Sequence, residues 1–170
     1  MAYRNKTYFC FDGDNDIHYF WLMNAWRNNN KPWFSEFNFY DAHEINYARD
    51  SSTEESIKRQ LMERLNNSKL FVILIGEQTR FLYKFVKWEI EQALRLGLPI
   101  IAVNLNGYRM MDPNRCPPIL ADQLAIHISF QQRIIEYAIN YWESSHNQFV
   151  SDKKIGPSYY PSSAYVSLGL

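Results

Sequence analysis

The chain has 170 residues, enough for one domain with a sizeable core and too few for two ordinary domains. Its 18 Lys and Arg balance 18 Asp and Glu, so no net field exists to hold a polyanion or an anionic bilayer, and neither nucleic acid nor membrane is expected as a partner. Cys10 and Cys116 lack the paired spacing of thiolate metal sites, and no apolar stretch of signal-peptide length precedes Asp12, so we expect reduced thiols, no metal and a cytoplasmic protein.

Thr7–Phe11 is short and β-prone, and it runs into Asp12-Gly13-Asp14-Asn15-Asp16. The D-x-D-x-D pattern opens a calcium loop, but position six of that loop is Ile17 rather than Gly and position twelve is Met23 rather than Glu. The acids therefore read as turn and helix-cap residues, with Asp12, nearest the strand end, the one placed to face a ligand. Ile17–Asn28 spaces Phe20, Trp21, Met23 and Trp26 around a helix.

A second strand, Glu36–Tyr40, leads into Asp41-Ala42-His43-Glu44, where His43 reads either as a general base or as a surface histidine. Ser52–Asn67 sets Ile57, Leu61 and Leu65 on one helical face behind the capping signal Ser52-Thr53-Glu54-Glu55. Lys69–Gly76 is apolar at every position from Leu70 to Ile75, as a strand covered on both faces must be. Phe81–Leu96 carries helical periodicity that Gly97 stops in the left-handed conformation.

Leu98–Asn104 is the fourth strand and Ala125–Phe130 the fifth. Between them, Asn106–Leu124 holds Gly107, Pro113, Pro117 and Pro118 and reads as a structured insert with a helical turn after Pro118. Gln131–Trp142 is the last periodic helix. Beyond Glu143 the chain is polar, then ends GPSYYPSSAYVSLGL without helical periodicity, so residues 1–145 form the expected domain and 146–170 a tail that packs back or meets a partner. Aromatics make up 16% of the chain, and we expect some of them to cover an interface or a ligand.

Strands alternating with helices imply right-handed βαβ units, hence a doubly wound parallel five-stranded sheet of flavodoxin-like order 2-1-3-4-5. In that order ligands bind at the carboxyl ends of the first and third strands. The Rossmann, P-loop, α/β-hydrolase and zincin signatures are all missing, which leaves a carboxylate site as the enzyme candidate. Glu89, in Phe85-Val86-Lys87-Trp88-Glu89, is that carboxylate; the residues alone leave open whether it acts on a substrate or pairs with a Lys or Arg.

Three segments carry a resemblance: Tyr8-Phe9-Cys10-Phe11-Asp12, the apolar strand ending I-G-x-x-T at Ile75-Gly76-Glu77-Gln78-Thr79, and a Glu ten residues past Thr79 preceded by aromatic and basic residues. Over residues 5–140 the chain resembles the bacterial TIR-like domain family and is similar to the Thoeris antiphage-defence TIR-like sensor subunit. The resemblance implies a protein that processes NAD⁺ as a substrate rather than a cofactor, cleaving the nicotinamide–ribose bond to make a cyclic ADP-ribose-type signal read by a downstream effector. It places the catalytic Glu on Glu89 and draws Phe11, Asp12, Asp41, His43 and Trp88 to the substrate. Partners expected are NAD⁺, the effector and further copies of the chain. Two alternatives stand beside it: a non-enzymatic interaction module of the same fold, and a nucleoside deoxyribosyltransferase-like enzyme.

Overall fold

A computed structural model describes residues 4–29 and 53–170 in full and residues 38–40 as backbone. Asp41, His43, Ser52 and the start of the second strand lie outside the described residues. The elements in chain order are β1 Lys6–Cys10, α1 Ile17–Asn29, β2 Asn38–Tyr40, α2 Glu54–Asn66, β3 Ser68–Ile75, α3 Phe85–Arg95, β4 Ile100–Asn104, α4 Pro118–Ala121, β5 Ala125–Ser129, α5 Gln132–Ser151, β6 Ser158–Tyr159 and α6 Ser162–Ser167.

All strands pair in parallel, in the order β2-β1-β3-β4-β5-β6. The doubly wound order expected from the sequence is present, with a sixth, two-residue strand added at the β5 edge. Alternation along β3 divides the core. Leu70, Val72 and Leu74 point to the layer of α1 and α5, where Phe20, Met23, Ile135 and Trp142 cover them. Phe71, Ile73 and Ile75 point to the layer of α2 and α3, against Leu61, Leu65, Ile90 and Ala93. Each fully buried aliphatic side chain of this kind contributes about 1.5–3 kcal/mol.

Because α1 leaves β1 toward one layer and α3 leaves β3 toward the other, the two connections diverge and leave a crevice at the carboxyl ends of β1 and β3. Local signals fix the flanking helices. Thr53 is the N-cap of α2, its hydroxyl accepting from the Ser56 N–H at 3.2 Å. Gly97, at φ +66°, ends α3 in the left-handed region that glycine tolerates.

The chain departs from the sequence reading in two regions. The helix expected from Phe81 starts only at Phe85; Phe81 closes a separate 3₁₀ turn, Thr79–Phe81, and Leu82–Lys84 lie between the two. The last long helix does not stop near Trp142. It runs on to Ser151 because His146 and Phe149 extend its buried stripe, with the Trp142 ring 5.9 Å from His146 and 5.7 Å from Phe149. The segment after it packs back: β6 pairs with β5, and Tyr165 is fully buried under the Arg109 guanidinium, 4.1 Å from the ring centroid. No helix among the described residues is long and apolar enough to cross a membrane.

Tyr165 anchors this terminal segment, so Tyr165→Ala should cost about 3–5 kcal/mol in urea denaturation. A loss below about 1 kcal/mol would mean that the segment contributes little to the domain's stability.

Candidate functional site

Positions 86, 90 and 93 of α3 are apolar and buried, and Glu89 falls within the same core-facing stripe at 4% exposure. A carboxylate in that position needs a donor. Tyr8, in the middle of β1, supplies one: its hydroxyl donates to Glu89 Oε2 at 2.8 Å. The Tyr8 ring is held for this task, fully buried and stacked on Phe71 with centroids 5.5 Å apart and planes 8° from parallel. Burial first, and the Glu89 carboxylate second, hold the Tyr8 pKa well above its usual value, so the hydroxyl keeps its proton and remains a donor.

A cavity of about 380 Å³ opens at the crevice, lined by Phe11, Asp12, Asp14, Phe81, Lys84 and Val86 among others. Phe85 and Val86 border it from the first turn of α3, one turn before Glu89. Glu89, one turn further along α3, is buried and is not itself among the lining residues. A larger cavity, about 560 Å³, opens at the opposite end of the sheet beside Gly97, Gln123 and His146. It lies away from the divergence of the strands where ligands of this topology bind.

The expected site residues fare differently. Phe11 and Asp12 line the cavity. Asp12 also builds the turn beneath it: Oδ1 accepts from the N–H groups of Asp14 at 3.0 Å and Asn15 at 3.3 Å, and Oδ2 accepts from the Asn15 side-chain amide at 2.7 Å. Trp88 does not face that way. It packs with the apolar cluster between the sheet and α2, and Lys58 of α2 lies 5.6 Å from its ring centroid. Adjacent helical positions point about 100° apart, which separates Trp88 from Glu89.

Tyr8 was not among the residues expected to act. The signal for it lay in the sequence: a tyrosine inside a strand bound for the core must find a partner for its hydroxyl. The I-G-x-x-T spacing also finds its reason here. The Thr79 hydroxyl accepts from the Gly76 N–H at 2.8 Å and ties off the turn that leaves β3. Gly76 has to lack a side chain, because a β-carbon there would overlap the Asp16 carboxylate. That carboxylate is buried, and Oδ2 has no hydrogen-bond partner. Burial, followed by the neighbouring Asp12 charge, raises the Asp16 pKa from 3.8 to about 6, against the pull of His18 and Arg115.

Residues 8–109 match the family model of the Thoeris protein ThsB, TIR-like domain. The chain belongs to this family. The matched stretch begins at Tyr8 and holds Glu89, Gly76, Thr79 and both turns that line the cavity, whereas β5, α5 and the packed terminal segment lie beyond it. No match to a curated protein was found. The protein is thus a TIR-like protein of the Thoeris defence type.

Two outcomes check the site. Tyr8→Phe leaves the shape intact and removes a hydrogen bond to a buried carboxylate, so it should cost about 1–3 kcal/mol in urea denaturation. Asp16 gives a pH signature. Its folded pKa lies above its unfolded value, so between the two the folded chain binds the extra proton and stability falls as pH rises from 3.8 through about 6. Asp16→Asn removes that loss and should melt above the parent at about pH 8, by up to about 3 kcal/mol, with the difference gone near pH 4.

Proposed function

We propose that this protein cleaves the nicotinamide–ribose bond of NAD⁺, with Glu89 as the catalytic carboxylate, and releases an ADP-ribose-type nucleotide signal to a downstream effector. The observation that carries this reading is a buried carboxylate, oriented by the Tyr8 hydroxyl and set one turn below a crevice of ligand size. Positive charge builds on the ribose as nicotinamide leaves. A fixed carboxylate in a water-poor setting stabilises that charge and can hold the ribose hydroxyls, as carboxylates do in glycoside cleavage.

Each neighbouring group has a part in this reading. Tyr8 positions Glu89 and limits its rotamers. Phe11 and Phe81 offer flat apolar surface to a base. Lys84 and the N-terminus of α3 offer positive potential to a phosphate, while the Asp12 carboxylate is engaged by its own turn. Asp41 and His43 belong to the same proposal, because they follow β2 in the sequence and β2 runs parallel to β1.

A second reading, a TIR-like interaction module without turnover, draws on Tyr83 and Phe81 at the cavity rim, which are 66% and 54% exposed and available for a partner to cover. The two readings separate by product analysis. NAD⁺ incubated with the parent, including protein recovered from phage-infected cells, should release nicotinamide, and Glu89→Gln should lower the rate by about 10²–10³-fold while keeping the parent's circular dichroism. Silence of the parent in both preparations would favour the interaction module. Release of free bases from deoxynucleosides, with NAD⁺ untouched, would favour a deoxyribosyltransferase-like enzyme.

A further inference from the structure

Across the β1–α1 turn from the crevice lies a second cavity, about 420 Å³ in volume, lined by Asp16, His18, Tyr19, Gly76, Glu77 and Arg115 among others. It differs from the first in being walled mainly by charged and polar groups. Asp16 forms its inner wall. The residue is only 7% exposed, yet Oδ2 has no hydrogen-bond partner, and the missing side chain of Gly76 makes the room in which the carboxylate sits. An ionised carboxylate so placed is costly to the fold unless a donor reaches the group.

Opposite stands Arg115. Its backbone is fixed by a turn organised on the buried Asp112, which accepts from the Asn114 N–H at 2.8 Å and the Asn106 side-chain amide at 2.8 Å, and whose carbonyl accepts from the Cys116 N–H at 2.9 Å. Its charge also acts on Asp16, drawing that carboxyl's pKa down, and its side chain lines the same cavity. The cavity therefore presents a planar cation at one wall and an under-satisfied carboxyl at another, with the Glu77 carboxylate at the rim.

We propose that this cavity is a binding site for a small zwitterion of the α-amino-acid class, its carboxylate forked on Arg115 and its ammonium held by Asp16 with Glu77 beside it. The charge pattern selects this class. A phosphate would meet Asp16, Glu77 and the nearby Asp12 with only Arg115 and His18 to hold it, and a plain cation would leave the Arg115 fork without a carboxylate partner from the ligand. A molecule with both charges answers both walls, and the guanidinium fork fits a carboxylate with two parallel hydrogen bonds. The site shares the β1–α1 turn with the crevice that Asp12 lines, so occupation of one bears on the other. The inference rests on these residues and not on the NAD⁺ reading.

The test is calorimetric titration of the full chain with the common α-amino acids, one at a time. We expect saturable binding of at least one. Its N-acetyl derivative and its methyl ester should each bind roughly tenfold or more weakly, as should the parent amino acid to Asp16→Asn and to Arg115→Gln, while Lys154→Ala, in the opposite cavity, binds as the parent does. Melting curves establish that the variants are folded. The proposal is overturned if no amino acid binds, if binding survives both variants, if the N-acetyl derivative binds as well as the free amine, or if inorganic phosphate competes for the site.

Discussion

A carboxylate at a core-facing position of α3 can persist only if something in the core donates to it, and the hydroxyl of Tyr8 meets that need across 81 residues of chain. Much of the domain serves this bond. The stack of Tyr8 on Phe71 fixes the ring, the β1–β3 pairing fixes Phe71 beside it, and the stripe Val86, Ile90 and Ala93 fixes the rotation of α3 that turns Glu89 inward. The pair is thus at once a structural tie between sheet and helix and a preset orientation for the carboxylate proposed to act on the substrate. Removing Glu89 deprives a fully buried hydroxyl of its acceptor, and removing the Tyr8 hydroxyl takes a donor from a buried carboxylate.

The turns leaving β1 and β3 are constrained just as tightly. Asp12 folds its own loop, Thr79 ties off the next, and between them Asp16 occupies the space that Gly76 leaves empty. The buried Asp16 carboxyl lowers stability at neutral pH, and that cost falls at the sheet edge where the topology places ligands. The opposite edge, where α4 and the amino ends of β4 and β5 meet, is built mainly from apolar packing around Leu98 and Leu120.

Much of this was legible in the sequence. The apolar run Leu70–Ile75 announced a central strand, the four-residue spacing of Ile57, Leu61 and Leu65 announced α2, and handedness then left few ways to order the strands. Glu89 stood out because a carboxylate beside tryptophan on a mostly apolar helix is poorly explained as solvent decoration. The terminal segment was opaque because Tyr165 is a single buried anchor in a short helix, with too few residues to show a period. The continuation of α5 past Trp142 was masked by the polar face of Glu143 to Gln148. Trp88 drew attention by its adjacency to Glu89, although neighbours on a helix point in different directions. Tyr8 and Asp16 could not be ranked from spacing, because what distinguishes them is the partner each one has or lacks in three dimensions.

If NAD⁺ is the substrate, it must meet the Glu89–Tyr8 pair. Carbon-detected NMR of glutamate- and tyrosine-labelled protein, titrated with a non-cleavable NAD⁺ analogue, addresses this directly. The Glu89 side-chain carboxyl and the Tyr8 ring-hydroxyl carbon should then shift together along one saturable curve, with Phe11 at the cavity wall following. Saturable shifts confined to the opposite edge around His146, or none at Glu89, would contradict it.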